Sequence, residues 1–328
     1  MPSATLHDGT RLGYEIHGSG PAVLLPVDPV PKEGARAEEL RRWGMDPALG
    51  RTLADGLGDA FQVIAFDYEG HRMNHPAAAL TPDHLAADLL AVADAAGAGR
   101  FAYYGYSWLA LAGLQLALRT DRLAALAMGG FPPLGGPYAQ MLQVTAAAHA
   151  MAQRPKDPAG SGEGGEYDWS SVEIAADGAQ TAQFLGLYQS LTGFDETAAQ
   201  SRIGCPRLCF AGSADVIPYG PEWGGVTVDM AGPLTRDRAR LEAAGWQVRV
   251  LDGLDQHRRH ATRRGPARAQ ALADRGVRGL KAPPPRQRRR LTGPAPGERS
   301  PAAAGRPRTR SGTAHSRTRG TAPGGRGP

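Results

Sequence analysis

The chain has 328 residues, 41 % of them hydrophobic and 21 % charged, with a formal net charge of +5 and two cysteines, Cys205 and Cys209. That length holds one large domain or two small ones, two cysteines exclude a disulfide-built scaffold and point to a reducing compartment, and no apolar run approaches the roughly 18–20 residues that span a bilayer. The net charge conceals an asymmetry, because residues 256–328 carry 18 Arg and one Lys against Asp274 and Glu298, a net +17, which leaves −12 on residues 1–255.

In chain order, residues 3–17, SATLHDGTRLGYEIH, predict a hairpin turning at Asp8-Gly9. No basic stretch followed by an apolar run precedes it, so no secretory signal is visible and a cytoplasmic protein is expected. Short apolar runs then read as buried strands: AVLLPV (22–27), QVIAF (62–66), FAYYG (101–105), LAALAMG (123–129), RLCFAG (207–212) and QVRVL (247–251). Between them, residues 81–97 predict a helix with Thr81 as N-cap, Pro82 at the first helical position, and Leu85, Leu89, Val92 and Ala96 on one face. RARLEAAG (238–245) predicts a shorter helix closed by Gly245. Strands alternating with helices imply an α/β fold, a mostly parallel sheet with helices on both faces. Residues 135–200 interrupt the alternation with a Gly-rich stretch between two helix-like segments, an insertion of the kind that forms a small cap over a site.

FAYYGYSWLALAGLQLALRT (101–120) is the most informative stretch. An aromatic-rich strand ends at Gly105, Ser107 follows, and a helix begins. A serine on such a turn projects its hydroxyl beyond the sheet edge, above a helix N-terminus that favours developing negative charge. Gly105 fits because a side chain two residues before the serine would collide with the turn. The same residues also fit an ordinary strand–turn–helix with Ser107 as its N-cap. A nucleophilic serine needs a base oriented by an acid. Asp215, in the loop after the strand 207–212, stands where the acid belongs in the chain order Ser, Asp, His. A solvated loop aspartate is the alternative for that residue.

This order of strand, serine turn and acid loop resembles the α/β-hydrolase family over about residues 3–255, with GYSWLALAGLQLA (105–117) as the nucleophile turn and FDYEGHRMNHP (66–76) as the segment after an earlier strand. The resemblance implies hydrolysis of an ester, amide or related acyl substrate through an acyl-serine, with no metal or cofactor. It implies Ser107 as nucleophile, Asp215 as acid and an oxyanion hole built from the N–H of Trp108 and a donor in LLPVDPVP (24–31). Pro26 and Pro29 carry no N–H, so that donor is Val27 or Asp28. His71 matches a structural position. Leu109 departs from the small residue usual two places after the serine. The aromatic and sulfur side chains of the insertion, Tyr138, Met141, Tyr167, Trp169, Phe184 and Tyr188, suggest a partly apolar pocket for a small acyl substrate; each also fits the packing of the insertion itself.

The family places its catalytic His directly after an Asp in the loop beyond the last strand, before a final helix. Here Gln256 holds that slot, His257 comes one residue later, and no helical pattern follows. A one-base slip in the reading frame accounts for all three departures. With GC-rich codons, removing the last base of the Gln256 codon yields a His directly after Asp255, then an amphipathic segment and a stop. Residues 256–328 have no Phe, Trp, Tyr or Ile, so a disordered tail is expected. Its charge would bind phosphates nonspecifically, without the aromatic platforms of a specific nucleic-acid module. The organisation read from sequence is thus a hydrolase domain, 1–255, and an Arg/Pro/Gly/Ala-rich tail, 256–328. The function is a serine hydrolase impaired at its base, with His257 as the residue left to replace it. The alternative is a catalytically inactive remnant or a binding protein.

Overall fold

Apolar runs of four to seven residues become strands covered on both sides, and the amphipathic segments between them become the cover. The computed structural model describes residues 1–42, 45–154 and 177–253. Strands β1 (Ser3–Thr5) and β2 (Arg11–Gly13) pair antiparallel around Gly9, whose φ of 81° only glycine adopts without strain. The predicted hairpin stops there. β3 (Glu15–His17) turns away and pairs antiparallel with residues Val63–Ala65 at the edge of the main sheet.

The chain then runs through β4 (Ala22–Leu25), α1 (Gly34–Arg42), α2 (Leu49–Gly58), β5 (Gln62–Ala65), α3 (Tyr68–Asn74), α4 (Pro82–Ala95), β6 (Phe101–Tyr106), α5 (Trp108–Ala117) and β7 (Leu123–Gly129). Helices α6 (Tyr138–Ala152), α7 (Gly178–Ser190) and α8 (Glu196–Gln200) precede β8 (Arg207–Gly212). A short antiparallel pair, β9 (Val216–Pro218) with β10 (Thr227–Asp229), flanks a 3-10 turn at Pro221–Trp223. Helices α9 (Gly232–Arg236) and α10 (Arg238–Ala243) lead into β11 (Trp246–Leu251).

The main sheet has seven strands in the order β11-β8-β7-β6-β4-β5-β3, parallel except for β3. Strand periodicity sends alternate side chains to opposite faces. Val23 and Leu25 pack with Leu53, Ala54 and Leu57 of α2. Leu24, between them, packs on the other face with the cores of α4 and α5.

Helix α4 follows the predicted pattern closely. The Thr81 side chain accepts from the His84 N–H, Pro82 opens the helix, and Gly97 at φ 70° follows its end. Leu85, Leu89 and Val92 are fully buried, each contributing about 1.5–3 kcal/mol of apolar burial. Among the described residues, no helix is long and apolar enough to cross a membrane. Residues 155–176, within the insertion, and the tail 256–328 lie outside the described residues, as do Tyr167 and Trp169.

Candidate active site

Ser107 sits between β6 and α5 with φ 55° and ψ −130°. It is the one non-glycine residue with positive φ among those described. Such a conformation costs about 1–3 kcal/mol for a side-chain-bearing residue and persists only where its surroundings enforce it. The enforcement is visible on both sides. The Ser107 N–H donates to the Gly129 carbonyl at the end of β7 (2.8 Å), and its own carbonyl accepts from the N–H groups of Ala110 (2.9 Å) and Leu111 (3.3 Å). Its hydroxyl does not cap α5, which sets aside the ordinary N-cap reading.

The turn is tight because Gly105 and Gly113 let a tyrosine lie beneath it. A Cβ on Gly105 would fall 2.3 Å from the Leu109 carbonyl oxygen, and one on Gly113 would fall 2.5 Å from Cε1 of Tyr103. The Tyr103 ring fills that space, and its hydroxyl donates to the Leu109 carbonyl at 2.8 Å. Leu109 itself is buried in the core, so its departure from a small residue is absorbed by packing. Gly105→Ala is expected to destabilise the protein by about 1–3 kcal/mol, the usual cost of overpacking. Urea unfolding checks this; an unchanged midpoint would contradict the packing argument.

At the start of α5, the N–H groups of Trp108 and Leu109 have no acceptor among the described residues, as helix N-termini require. β4 runs parallel to β6, Leu24 beside Tyr103, so LLPVDPVP leaves the sheet at the same edge as Ser107. The two candidate donors there differ. The Val27 N–H is committed to the Leu25 carbonyl at 2.8 Å, whereas the Asp28 N–H has no acceptor among the described residues. The Asp28 carboxylate turns into its own loop, accepting from the Val30 N–H (2.9 Å) and pairing with Lys32.

Asp215 is 1 % exposed, so it is no solvated loop side chain. Its N–H donates to the Gly212 carbonyl (3.1 Å) and its carbonyl accepts from the Met230 N–H (3.0 Å). A buried carboxylate is kept in a protein by partners or by a task. The loop carrying it is tied to the end of β11: the Ser213 N–H donates to the Leu251 carbonyl (2.8 Å) and the Gly253 N–H to the Ser213 hydroxyl (2.9 Å). Gly253 therefore lies beside the loop that carries Asp215. Gln256 and His257 lie outside the described residues.

The Trp108 ring is held from two directions. Phe184 of α7 meets it edge-on at 5.2 Å, and Tyr68 of α3 lies 5.9 Å away. Phe184, one of the predicted pocket residues, thus touches the turn that carries Ser107 through Trp108. Tyr138 packs on Phe131 and Phe194, and Tyr188 is buried; both serve the packing of the insertion. The Tyr68 hydroxyl donates to Asp88 (2.6 Å), which also accepts from the His7 N–H (2.8 Å). Sequence patterns offered no sign of this support, since its members are up to 81 residues apart.

Arg72, fully buried, lies over the Tyr68 ring and pairs with Asp8 at 2.7 Å. Burial raises the Asp8 carboxyl, but hydrogen bonds from Arg72 and Thr10 outweigh it and hold it well below the usual carboxylate range. A depressed folded-state pKa means that the pair's contribution is complete above about pH 4 and is lost as pH falls through the folded value. Asp8→Asn is expected to strand the guanidinium and destabilise by about 3 kcal/mol at pH 7. The difference from the parent should shrink in acid; a difference independent of pH would refute the pairing.

His71 is held by Thr10 at 2.9 Å. Burial, then Arg72 and His75, lower its pKa to about 4, so it is neutral near pH 7. Among the described residues, no group of three or more His, Cys, Asp or Glu side chains is placed to hold a metal ion.

No protein-family model matches the sequence, and no curated protein matches it. Solved structures do. The chain is similar to a thermophilic esterase from Thermogutta terrifontis, at 17 % identity over 86 % of this chain and 94 % of that chain, with a TM-score of 0.52. It is similar to an enol-lactonase from Burkholderia xenovorans LB400, at 20 % identity over 85 % and 99 %, with a TM-score of 0.50. A lipase solved in its open form gives 20 % identity over 85 % and 97 %, with a TM-score of 0.52. At such identities the likeness is one of fold.

Proposed function

Because this chain has the α/β-hydrolase fold, we propose that it is a serine hydrolase cleaving an ester, amide or related acyl substrate through an acyl-Ser107 intermediate. One observation carries the reading: the single strained non-glycine residue among those described is a serine at the strand-to-helix turn, with its hydroxyl not used to cap the helix.

In this mechanism a histidine from the loop after β11 takes the Ser107 hydroxyl proton as Oγ attacks the acyl carbon. The Trp108 N–H and a donor from Val27–Asp28 receive the negative charge on the carbonyl oxygen; the Asp28 N–H, unlike that of Val27, has no acceptor among the described residues. The histidine returns the proton to the leaving alcohol or amine, and water then releases the acid by the same steps in reverse roles. Asp215 orients the base and stabilises its charged form. Phe184 contributes to an apolar wall for the substrate.

Gln256 in the slot expected for the base favours a second reading, a hydrolase that has lost much of its rate and serves as a remnant or a binding protein. A fluorophosphonate probe separates the two, since it labels an activated serine. The expected result is a stoichiometric adduct on the peptide containing Ser107. No adduct after prolonged exposure would favour the remnant.

A further inference from the structure

One face of the main sheet is more deeply buried than its described neighbours can account for. Ala102 and Tyr104 of β6, Ala125 and Ala127 of β7, and Leu208 and Phe210 of β8 share a layer with Leu53, Ala54 and Leu57 of α2. No other described helix contributes a buried side chain to that layer. Helix α2 packs on β5 and β3, and β7 and β8 lie three and four strands from β5 in the sheet order. At about 4.8 Å per strand they are about 14 and 19 Å away, whereas a helix with its side chains is about 10–12 Å wide. A helix at that end of the sheet does not cover them. Yet Ala127 is 1 % exposed, Leu208 3 % and Phe210 6 %.

Three stretches lie outside the described residues: 43–44, 155–176 and 254–328. The first is too short to cover two strands. The second joins α6 to α7, whose buried Val144, Leu187 and Tyr188 belong to the layer on the other face. The third leaves from the end of β11, the strand beside β8. The helical pattern that is absent directly after His257 resumes within it, in ARAQALADRGVRGL (267–280). There Ala269, Leu272, Ala273, Gly276, Val277 and Leu280 follow at steps of three and four, and Arg268, Asp274, Arg275 and Arg278 fall on the opposite side. Pro266 stands before the first turn and Pro283 after the last.

We propose that residues 267–280 dock as a helix on the face formed by β6, β7 and β8. That length makes about 21 Å of helix, which matches a strand of six or seven residues at about 3.3 Å each. The span from Gly253 to Pro266 reaches up to about 40 Å when extended, enough to turn back over the sheet. Ala102, Ala125 and Ala127 make the middle of the face shallow, and Ala269, Ala273 and Gly276 let a helix approach it closely. Gly276 and Gly279 keep the segment's own helix propensity low, so the sheet holds the helix in place. Its outward side is basic, on a body whose net charge is −12. The tail expected to be disordered throughout thus supplies a layer of the domain, independently of the chemistry at Ser107.

The test is brief trypsin digestion of the folded full chain, followed by mass spectrometry, with each rate scaled to the same bond in a synthetic peptide of residues 256–328. Cleavage after Arg268, Arg275 and Arg278 is expected to be at least about tenfold slower than after Arg288 and Arg289, which lie beyond the docked segment. Three full-chain variants then locate the contact. Leu272→Glu and Val277→Glu place a charge on the apolar stripe; each should lower the thermal midpoint by about 4 °C or more and remove the protection. Ala271→Glu places the same charge on the outward side and should change neither. Equal scaled rates at all five sites in the parent, or equal effects of Ala271→Glu and Leu272→Glu, overturn the proposal. A dimer in sedimentation whose tail sites are all cut equally assigns the face to a second copy and overturns it too.

Discussion

Ser107→Ala is expected to remove nearly all esterase activity, with kcat on a short activated ester falling by about 10³–10⁴-fold or more. Among the described residues it has no second candidate. It alone among the described non-glycine residues holds a positive φ, and its N–H and carbonyl are both tethered, so the conformation survives the loss of Oγ. The variant should therefore fold as the parent does, and thermal unfolding within about 2 °C of the parent would confirm that. The fall should lie in kcat rather than KM, because the hydroxyl acts in the transition state and adds little to ground-state binding. Activity retained in Ser107→Ala would sink the assignment and direct attention to a contaminant or to another nucleophile.

Gln256→His is expected to act in the opposite direction. General-base catalysis contributes about 10²–10⁴-fold, and a histidine directly after Asp255 supplies the base in the position the resemblance implies. Residue 256 is the third residue after Gly253, up to about 10 Å of extended chain, and Gly253 is tied to the loop that carries Asp215. The gain should appear as a rise in kcat with a pH profile climbing through the histidine range. A companion variant, His257→Ala, decides which base the chain uses. If His257 already serves, His257→Ala lowers activity and Gln256→His adds little. If the slot is the defect, Gln256→His restores activity whether or not His257 is present. A chain rewritten in the alternative frame after Asp255 should show the same gain, and failure of both would leave the remnant reading in possession.

These expectations rest on unequal footing in the sequence. Strand positions were legible because a parallel strand buried on both faces must be continuously apolar, as AVLL (22–25) and LAALAMG (123–129) are. Helix α4 was legible because caps are local chemistry: Thr81, Pro82 and Gly97 mark its ends within a few residues of where they act. Gly105 and Ser107 could be named together for a similar reason, since a sharp turn makes its demands on adjacent residues. The hairpin was over-extended, because nothing in Glu15–His17 records that their pairing partner is β5, about 50 residues on.

Residue patterns along the chain therefore carry a local grammar: an α/β alternation, a serine on a tight turn, an aspartate in the matching chain order and a break in pattern after Asp255. How those parts are held depends on contacts made across the fold. Tyr103 beneath the turn, the burial of Asp215, the engagement of Val27 with Leu25, and Trp108 between Tyr68 and Phe184 all depend on residues brought together across the fold. The physical reason is that backbone preferences and apolar periodicity act over a few residues and leave a readable trace. Side-chain contacts and burial are properties of packing, and packing is settled by the whole chain at once.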